Sequence, residues 1–169
     1  MKAMPQIDVI SRFQQSAPVD VTGMANALGL SVWESPDLPA GVSGKLFEDR
    51  SKGGSSGYSI VVRSSEPFVR KRFTVAHEIG HFLLHRNRIG SYLVEDEWLR
   101  SNLSTREEVE ANQFAAEALM PKHLISRYAG LYGPNPSVLA PIFKVSEAAM
   151  RIRLGMETKG LPVEMTLTL

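Results

Sequence analysis

The chain has 169 residues, of which 43% are hydrophobic and 22% are charged, with 19 Lys and Arg against 18 Asp and Glu. These values are typical of one globular domain and exclude a disordered, collagen-like or coiled-coil chain. The formal charge of +1 provides no general attraction to nucleic acid or anionic membranes, and the absence of cysteine excludes disulfides, cysteine zinc ligands and a thiol nucleophile.

The predicted elements begin with two short helices and continue with strands. Apolar residues from Ile7 to Phe13 recur at helical spacing, and a second helix begins at a cap provided by Asp20 or Thr22 and ends before Gly29. Three strands are predicted next, over residues 30–33, 41–47 and 58–62. Strands followed by helices indicate an α+β arrangement, with a small sheet on one side of a helical body.

Helices make up most of the remaining predicted elements. Pro67 begins a helix that continues to about His85, and residues 86–103 are predicted as loop with one short extended piece at 92–94. Ser104 and Glu107 match a capping box at the start of the next helix. The helices that follow are predicted over residues 104–120, 121–129, 137–143 and 146–157.

Three of the four histidines lie within nine residues, and two of them belong to the motif His77-Glu78-Ile79-Gly80-His81. A spacing of four residues places both imidazoles on one face of a helix, where they can bind one zinc ion. Glu78 projects one residue further round the helix, where it can accept a proton from a zinc-activated water as that water attacks a carbonyl. The motif therefore predicts metal-assisted hydrolysis, with Glu78 as the general base.

Catalytic zinc usually has three protein ligands, so a third is expected from another helix. His85 continues along the same helix, so we predict a capping or packing role for it. In the predicted helix 104–120, Glu108 lies on the apolar stripe, where a carboxylate needs a partner such as zinc, and Asn112 could hold a ligand in place. The other glutamates of this helix are expected on a solvated face or in capping roles: Glu107, Glu110 and Glu117.

Two segments, RFTVAHEIGHFLLH at 72–85 and EVEANQFAAEALMP at 108–121, resemble the ImmA/IrrE family of zinc metallopeptidases. That family's signature is an HExxH helix followed by a second helix of the pattern ExxAN-x-FAAE-x-L-MP. The resemblance implies a minimal zincin-like α+β fold, with a small twisted sheet beside the HExxH helix and a mostly helical C-terminal part. We interpret residues 1–169 as a single metallopeptidase domain, with a zincin-like core at 20–125 and a helical extension at 126–169.

The resemblance also implies roles for particular residues. His77, His81 and Glu108 would be the zinc ligands, with Glu110 as the second choice for the third ligand, and Glu78 would be the general base. Known members are bacterial and phage proteins that cleave or inactivate helix-turn-helix repressors. Such a repressor is therefore the expected protein substrate.

The substrate is expected to bind as an extended peptide that adds to an edge of the sheet, beside residues 58–62. No sequence pattern identifies the group that stabilises the oxyanion. The candidates are Tyr58, Tyr92 and His123, each of which also has an ordinary packing or surface interpretation.

The C-terminal stretch has the spacing of a helix-turn-helix. Leu139 and Phe143 fall on one helix, and Ser146 could cap a second that carries Arg151 and Arg153. Two arginines in a chain of nearly neutral charge provide little capacity for phosphate binding. We therefore expect these helices to close the core, with solvated arginines and without direct nucleic-acid binding.

Two functions are consistent with these patterns. The first is a zinc-dependent endopeptidase that cleaves a helix-turn-helix repressor and so relieves repression. The alternative is a regulatory binding protein, with a structural or weakly active zinc site, that recognises a repressor or DNA through its C-terminal helices. The presence of Glu78, rather than Gln or Ala, favours the enzyme. Because no apolar run resembles a secretory signal or could span a bilayer, we expect a cytoplasmic protein.

Overall fold

A computed structural model of the chain describes residues 6–89 and 105–156. Within these residues the strands are β1 (Leu30–Ser35), β2 (Gly44–Glu48) and β3 (Tyr58–Arg63). The helices are α1 (Gln6–Phe13), α2 (Val21–Ala27), α3 (Phe68–Ile89), α4 (Thr105–Leu119), α5 (Lys122–Tyr132), α6 (Pro136–Phe143) and α7 (Glu147–Arg153). The predicted α+β class, with a small sheet and a mostly helical C-terminal part, is confirmed. The short extended piece predicted at 92–94 lies outside the described residues.

The three strands form a mixed sheet in the order β1-β3-β2. The central strand β3 pairs in parallel with β1, where Leu30 is opposite Tyr58, and antiparallel with β2, where Gly44 is opposite Val62. The prediction that a peptide adds beside residues 58–62 is wrong, because β3 already has a strand on each side. In the described part of the chain, the outer edges of the sheet belong to β1 and β2.

Helix α3 passes across the sheet and packs against β2, β3 and α4. Its buried side chains include Val75, Ala76, Ile79 and Phe82, each at most 3% exposed. Burial of a large aliphatic or aromatic side chain contributes about 1.5–3 kcal/mol, so this face ties α3 firmly to the sheet. The face of α3 that carries His77 and His81 is directed toward α4.

The C-terminal helices contribute to the same hydrophobic core. Leu139 and Phe143 of α6 and Met150 of α7 are fully buried in it. Helix α7 ends at Arg153 instead of continuing to 157 as predicted, because Leu154 caps it and Gly155 takes a positive φ of 71°.

Arg153 differs from the expected solvated arginine. Its guanidinium pairs with the Glu117 carboxylate, and its Nε donates to the backbone carbonyl of Met120 at 2.8 Å. The side chain is only 17% exposed, so it joins α7 to the end of α4 and is not presented to a phosphate backbone. None of the helices in the described residues has the length and apolar character needed to cross a membrane.

Candidate metal centre

Two histidine side chains on consecutive turns of α3 converge on one point. The Nε2 atoms of His77 and His81 lie 2.9 Å apart, and their rings are nearly perpendicular, with an interplanar angle of 78°. This follows from helical geometry, since residues four apart lie on the same face. His81 is buried, whereas His77 lies closer to the surface.

The neighbouring helix α4 adds a carboxylate to the pair. The two oxygens of Glu108 lie 3.3 Å from His77 Nε2 and 3.2 Å from His81 Nε2. Ligand atoms about 2.0–2.1 Å from one tetrahedral zinc ion lie about 3.3 Å from each other, so the spacing suits a metal of this kind. Within the described residues, His77, His81 and Glu108 are the group whose ligand atoms lie close enough to hold a metal ion. The three residues therefore fit a metal as a His, His, carboxylate set.

The electrostatics of the centre also favour a cation. Burial is the largest single effect on His77 and on Glu108 and opposes the charged form of each, but the hydrogen bonds and the opposite charges around them together outweigh it. The pKa of His77 is raised, with the charge of Glu78 adding to the effect, and the hydrogen bonds from His77 and His81 hold the pKa of Glu108 well below its usual range. A carboxylate that stays ionised between two imidazoles is suited to binding a metal ion. The ion takes the place of the proton that a histidine would otherwise share with the carboxylate.

Glu78 follows His77 directly in α3 and is 4% exposed. It is not part of the three-residue group, yet its negative charge raises the pKa of His77, so it lies near the centre. A buried carboxylate beside a metal site, but outside the ligand set, is the arrangement that a general base requires. Glu78 as the general base therefore remains a prediction, for a buried carboxylate that directly follows a residue of the three-residue group.

The outer side of each imidazole also has a partner. The Nδ1 atom of His77 is 2.7 Å from Oδ1 of Asn112, as the predicted role of Asn112 requires. The Nδ1 atom of His81 lies 3.0 Å from Nδ1 of His85, and the other nitrogen of His85 lies 3.0 Å from Oε2 of Glu110. Partners of this kind fix the orientation of a ligating imidazole.

Two predictions about these outer residues need correction. Of the two roles predicted for His85, capping is wrong, because α3 continues to Ile89, whereas packing agrees with the burial of its side chain. Glu110 contacts His85 and Arg106, so the alternative that made it the third ligand is not what the structure shows. The sequence signal for His85 was present, because residues 77, 81 and 85 continue one four-residue spacing.

The remaining glutamates of α4 differ from each other in how they meet the expectation of a solvated face or a capping role. Glu107 is 6% exposed, and Glu117 pairs with Arg153 and accepts a hydrogen bond from the backbone N–H of Lys122. The expectation of solvated side chains on this helix is therefore wrong for Glu107. For Glu117, the predicted capping role is matched by its bond to the first residue of α5.

Two of the three oxyanion candidates have structural roles. His123 Nε2 lies 2.7 Å from the backbone carbonyl of Gln14, so it ties α5 to the end of the first helix. The Tyr58 ring packs edge-on against Phe82 at 5.5 Å between ring centroids. Tyr92 lies outside the described residues.

The close approach of α3 and α4 depends on Gly80. A Cβ atom added there would lie 3.2 Å from Ala111 Cα, from Ala111 O and from Phe114 Cβ. Contacts this short are tighter than most side-chain contacts, and two of the three atoms are backbone atoms that cannot turn aside. Glycine at position 80 therefore permits the distance at which Glu108 reaches the two histidines.

We expect Gly80→Val to lower the free energy of unfolding by about 1–3 kcal/mol, the usual cost of overpacking. The same substitution at Gly130 in α5 is a matched control, because nothing lies within 4 Å of a Cβ added there. Chemical denaturation of the metal-free proteins measures both values. Equal losses in the two variants would contradict the importance of the α3–α4 approach.

These features define a class of protein: an α+β domain of zincin-like form, in which an HExxH helix lies beside a small sheet and a second helix contributes a carboxylate. A family model described as the IrrE N-terminal-like domain matches residues 25–155. The chain belongs to this family of metallopeptidases, and the resemblance found in its two motifs is confirmed.

Two individual proteins resemble the chain. The radiation response metalloprotease IrrE of Deinococcus radiodurans is 32% identical over 104 residues, which are 62% of this chain and 32% of that protein. A solved structure of a Mycobacterium tuberculosis transcriptional regulator has a TM-score of 0.59 at 17% identity, covering 92% of this chain and 47% of the other. At that identity the second likeness concerns the fold alone. The chain thus spans about a third of the first relative and about half of the second.

Proposed function

We propose that the protein is a zinc-dependent endopeptidase that cleaves a helix-turn-helix transcriptional repressor in the cytoplasm and so relieves repression. The observation that carries the proposal is the convergence of His77, His81 and Glu108 next to a buried Glu78. Two imidazoles and one carboxylate are a ligand set of zinc peptidases, and three protein ligands leave a fourth position for the reaction.

In this proposal, three side chains hold the metal and a fourth transfers the proton. His77 and His81 would hold zinc through the Nε2 atoms that converge on Glu108, and Glu108 would hold it through its carboxylate. When bound, zinc polarises the substrate carbonyl and makes water acidic enough to act as a nucleophile near neutral pH. Glu78 accepts the proton of the attacking water and delivers it to the leaving amine, so that its carboxylate is unchanged after each cycle.

The outer edge of β2 is our proposed docking strand for an extended peptide. Arg63 N donates to Ser43 O, and Asp49 N donates to Gly57 O, so odd-numbered positions from 43 to 49 form the ladder with β3. Because positions alternate in an antiparallel ladder, the backbone groups of Leu46 and Glu48 face outward. In the described part of the chain no strand covers that edge, and α3 packs against β2. A peptide added there would lie along the metal-binding helix.

The repressor as substrate is taken from the ImmA/IrrE family, whose members act on such proteins. In the C-terminal helices, Arg153 is held by Glu117 and by a backbone carbonyl, so it is not free to bind a DNA phosphate. A neutral domain has little electrostatic affinity for DNA. The proposal therefore assigns the contact with DNA to the substrate and not to this chain.

The direct test mixes the purified, zinc-loaded protein with helix-turn-helix repressors from the same organism, beginning with any that a neighbouring reading frame encodes. We expect two fragments from cleavage of one peptide bond, which mass spectrometry locates. Removal of zinc by a chelator should stop the reaction, and added zinc should restore it. If the repressor dissociates from its operator but is not cleaved, the endopeptidase proposal is wrong. The protein is then a regulatory binding protein that acts without proteolysis.

A further inference from the structure

We propose that His85 and Glu110 are positioning residues that orient His81 toward the metal, an inference that rests on the proposed zinc site. Four side chains form a continuous line of polar contacts, in the order His81, His85, Glu110 and Arg106. His81 Nδ1 lies 3.0 Å from His85 Nδ1, His85 Nε2 lies 3.0 Å from Glu110 Oε2, and Glu110 Oε1 lies 2.8 Å from Arg106 Nε. The line begins at the metal centre and ends at the protein surface.

One arrangement of protons satisfies the whole line. A neutral histidine that binds metal through Nε2 carries its hydrogen on Nδ1, so His81 donates to His85. His85 then accepts at Nδ1, carries its hydrogen on Nε2 and donates to Glu110. The second oxygen of Glu110 accepts from the guanidinium of Arg106. Every donor in the line has an acceptor, which is the condition for a stable buried polar network.

Burial prevents water from replacing the contacts of the two histidines in this line. His81 is 3% exposed and His85 is 4% exposed, so neither ring can exchange its partner for solvent. Among the described residues no buried side-chain nitrogen or oxygen lacks a hydrogen-bond partner. If His85 were absent, the Nδ1–H of His81 would lose its acceptor in a dry environment, and the ring could turn away from the metal.

The two ligating histidines are therefore held in different ways. His77 is oriented by a direct amide acceptor, Asn112 of α4. His81 is oriented through a second imidazole that leads to a carboxylate of the same helix. Because both partners come from α4, these contacts also hold Glu108 opposite the histidines. Arg106 contributes least, because its side chain is 86% exposed and surface ion pairs are weak.

The test measures zinc affinity by competition with a chelator in the full chain. We expect His85→Phe to weaken zinc binding by about 10–100-fold, the usual effect of losing such an outer partner. Glu110→Ala, at a partly exposed position, should weaken it in the same direction without removing a buried ring. His123→Phe and Glu117→Ala are matched controls, and both should bind zinc as the wild type does.

A second measurement separates positioning from a merely structural role. Nitrogen NMR of the zinc-loaded chain should show the hydrogen of His85 on Nε2 and that of His81 on Nδ1. Unchanged zinc affinity in folded His85→Phe and Glu110→Ala, or the opposite hydrogen placement on His85, would overturn the inference and leave the proposed function intact. A wild-type chain that binds no zinc would overturn both.

Discussion

Replacement of Glu78 by glutamine is expected to slow cleavage of the substrate by about 10²–10⁴-fold, the usual contribution of a general base. Glutamine has nearly the same shape as glutamate but cannot accept the proton of the attacking water at neutral pH. Because Glu78 is 4% exposed, an isosteric change preserves the packing of α3, whereas alanine would leave a gap. Zinc should remain bound, since Glu78 is not one of the three converging ligands.

This experiment needs both the metal content and the rate. Zinc per chain is measured by mass spectrometry of the metal, and kcat/KM is measured on the repressor or on a peptide that spans its cleavage site. Glu66→Gln is the control, because Glu66 precedes α3 and contacts Ser43 and Arg70 instead of the metal centre. Fully loaded Glu78→Gln that cleaves at nearly the wild-type rate would show that another group acts as the base.

The intrahelical part of the site was predictable because it depends on one helical period. His77, Glu78 and His81 take their relative positions from α3 alone, whatever the rest of the chain does. The prediction of Glu108 as the third ligand depends on a second feature, the apolar stripe of α4, together with the resemblance to the family. Its contact with the histidines also depends on a close helix approach, which Gly80 and the small residues of α4 allow.

The order of the strands was not predictable from local patterns. The pattern of β3 predicts a strand but does not specify its neighbours, so the prediction of a free edge beside residues 58–62 has no local signal that could correct it. The informative signal is the burial of four consecutive residues, Ser59–Val62, which is typical of a strand covered on both faces and unlike a half-exposed edge. Burial of that kind is known only once the helices have been placed against the sheet.

The roles of His85 and Arg153 do not follow from local patterns for a related reason. Taken alone, the position of His85 predicts a residue near a helix end, whereas its partners His81 and Glu110 lie on two different helices. A residue that connects two elements cannot be assigned from the periodicity of either one. The same holds for Arg153, whose partners Glu117 and Met120 lie more than 30 residues earlier.

Replacement of Glu108 by alanine is expected to abolish stoichiometric zinc binding. Glu108 supplies the carboxylate of the three-residue group, and without it two imidazoles 2.9 Å apart remain. We expect the loss of affinity to exceed the roughly 10–100-fold effect of an outer partner, because a ligand bond itself is removed. Chelator competition and the zinc content after dialysis measure the change, and Glu108→Gln provides a second variant of similar shape.

The neighbouring glutamates of α4 make the result specific to position 108. Glu110→Ala should retain zinc with weakened affinity, because its carboxylate acts through His85, and Glu117→Ala should retain it unchanged, because its partner is Arg153. The expected order of zinc affinity is therefore Glu117→Ala, then Glu110→Ala, then Glu108→Ala. If Glu110→Ala loses zinc and Glu108→Ala keeps it, the third ligand is Glu110 and α4 is turned differently in solution. The order thus tests the rotation of α4 about its axis as well as the identity of the ligand, since residues 108 and 110 lie about 200° apart on a helix.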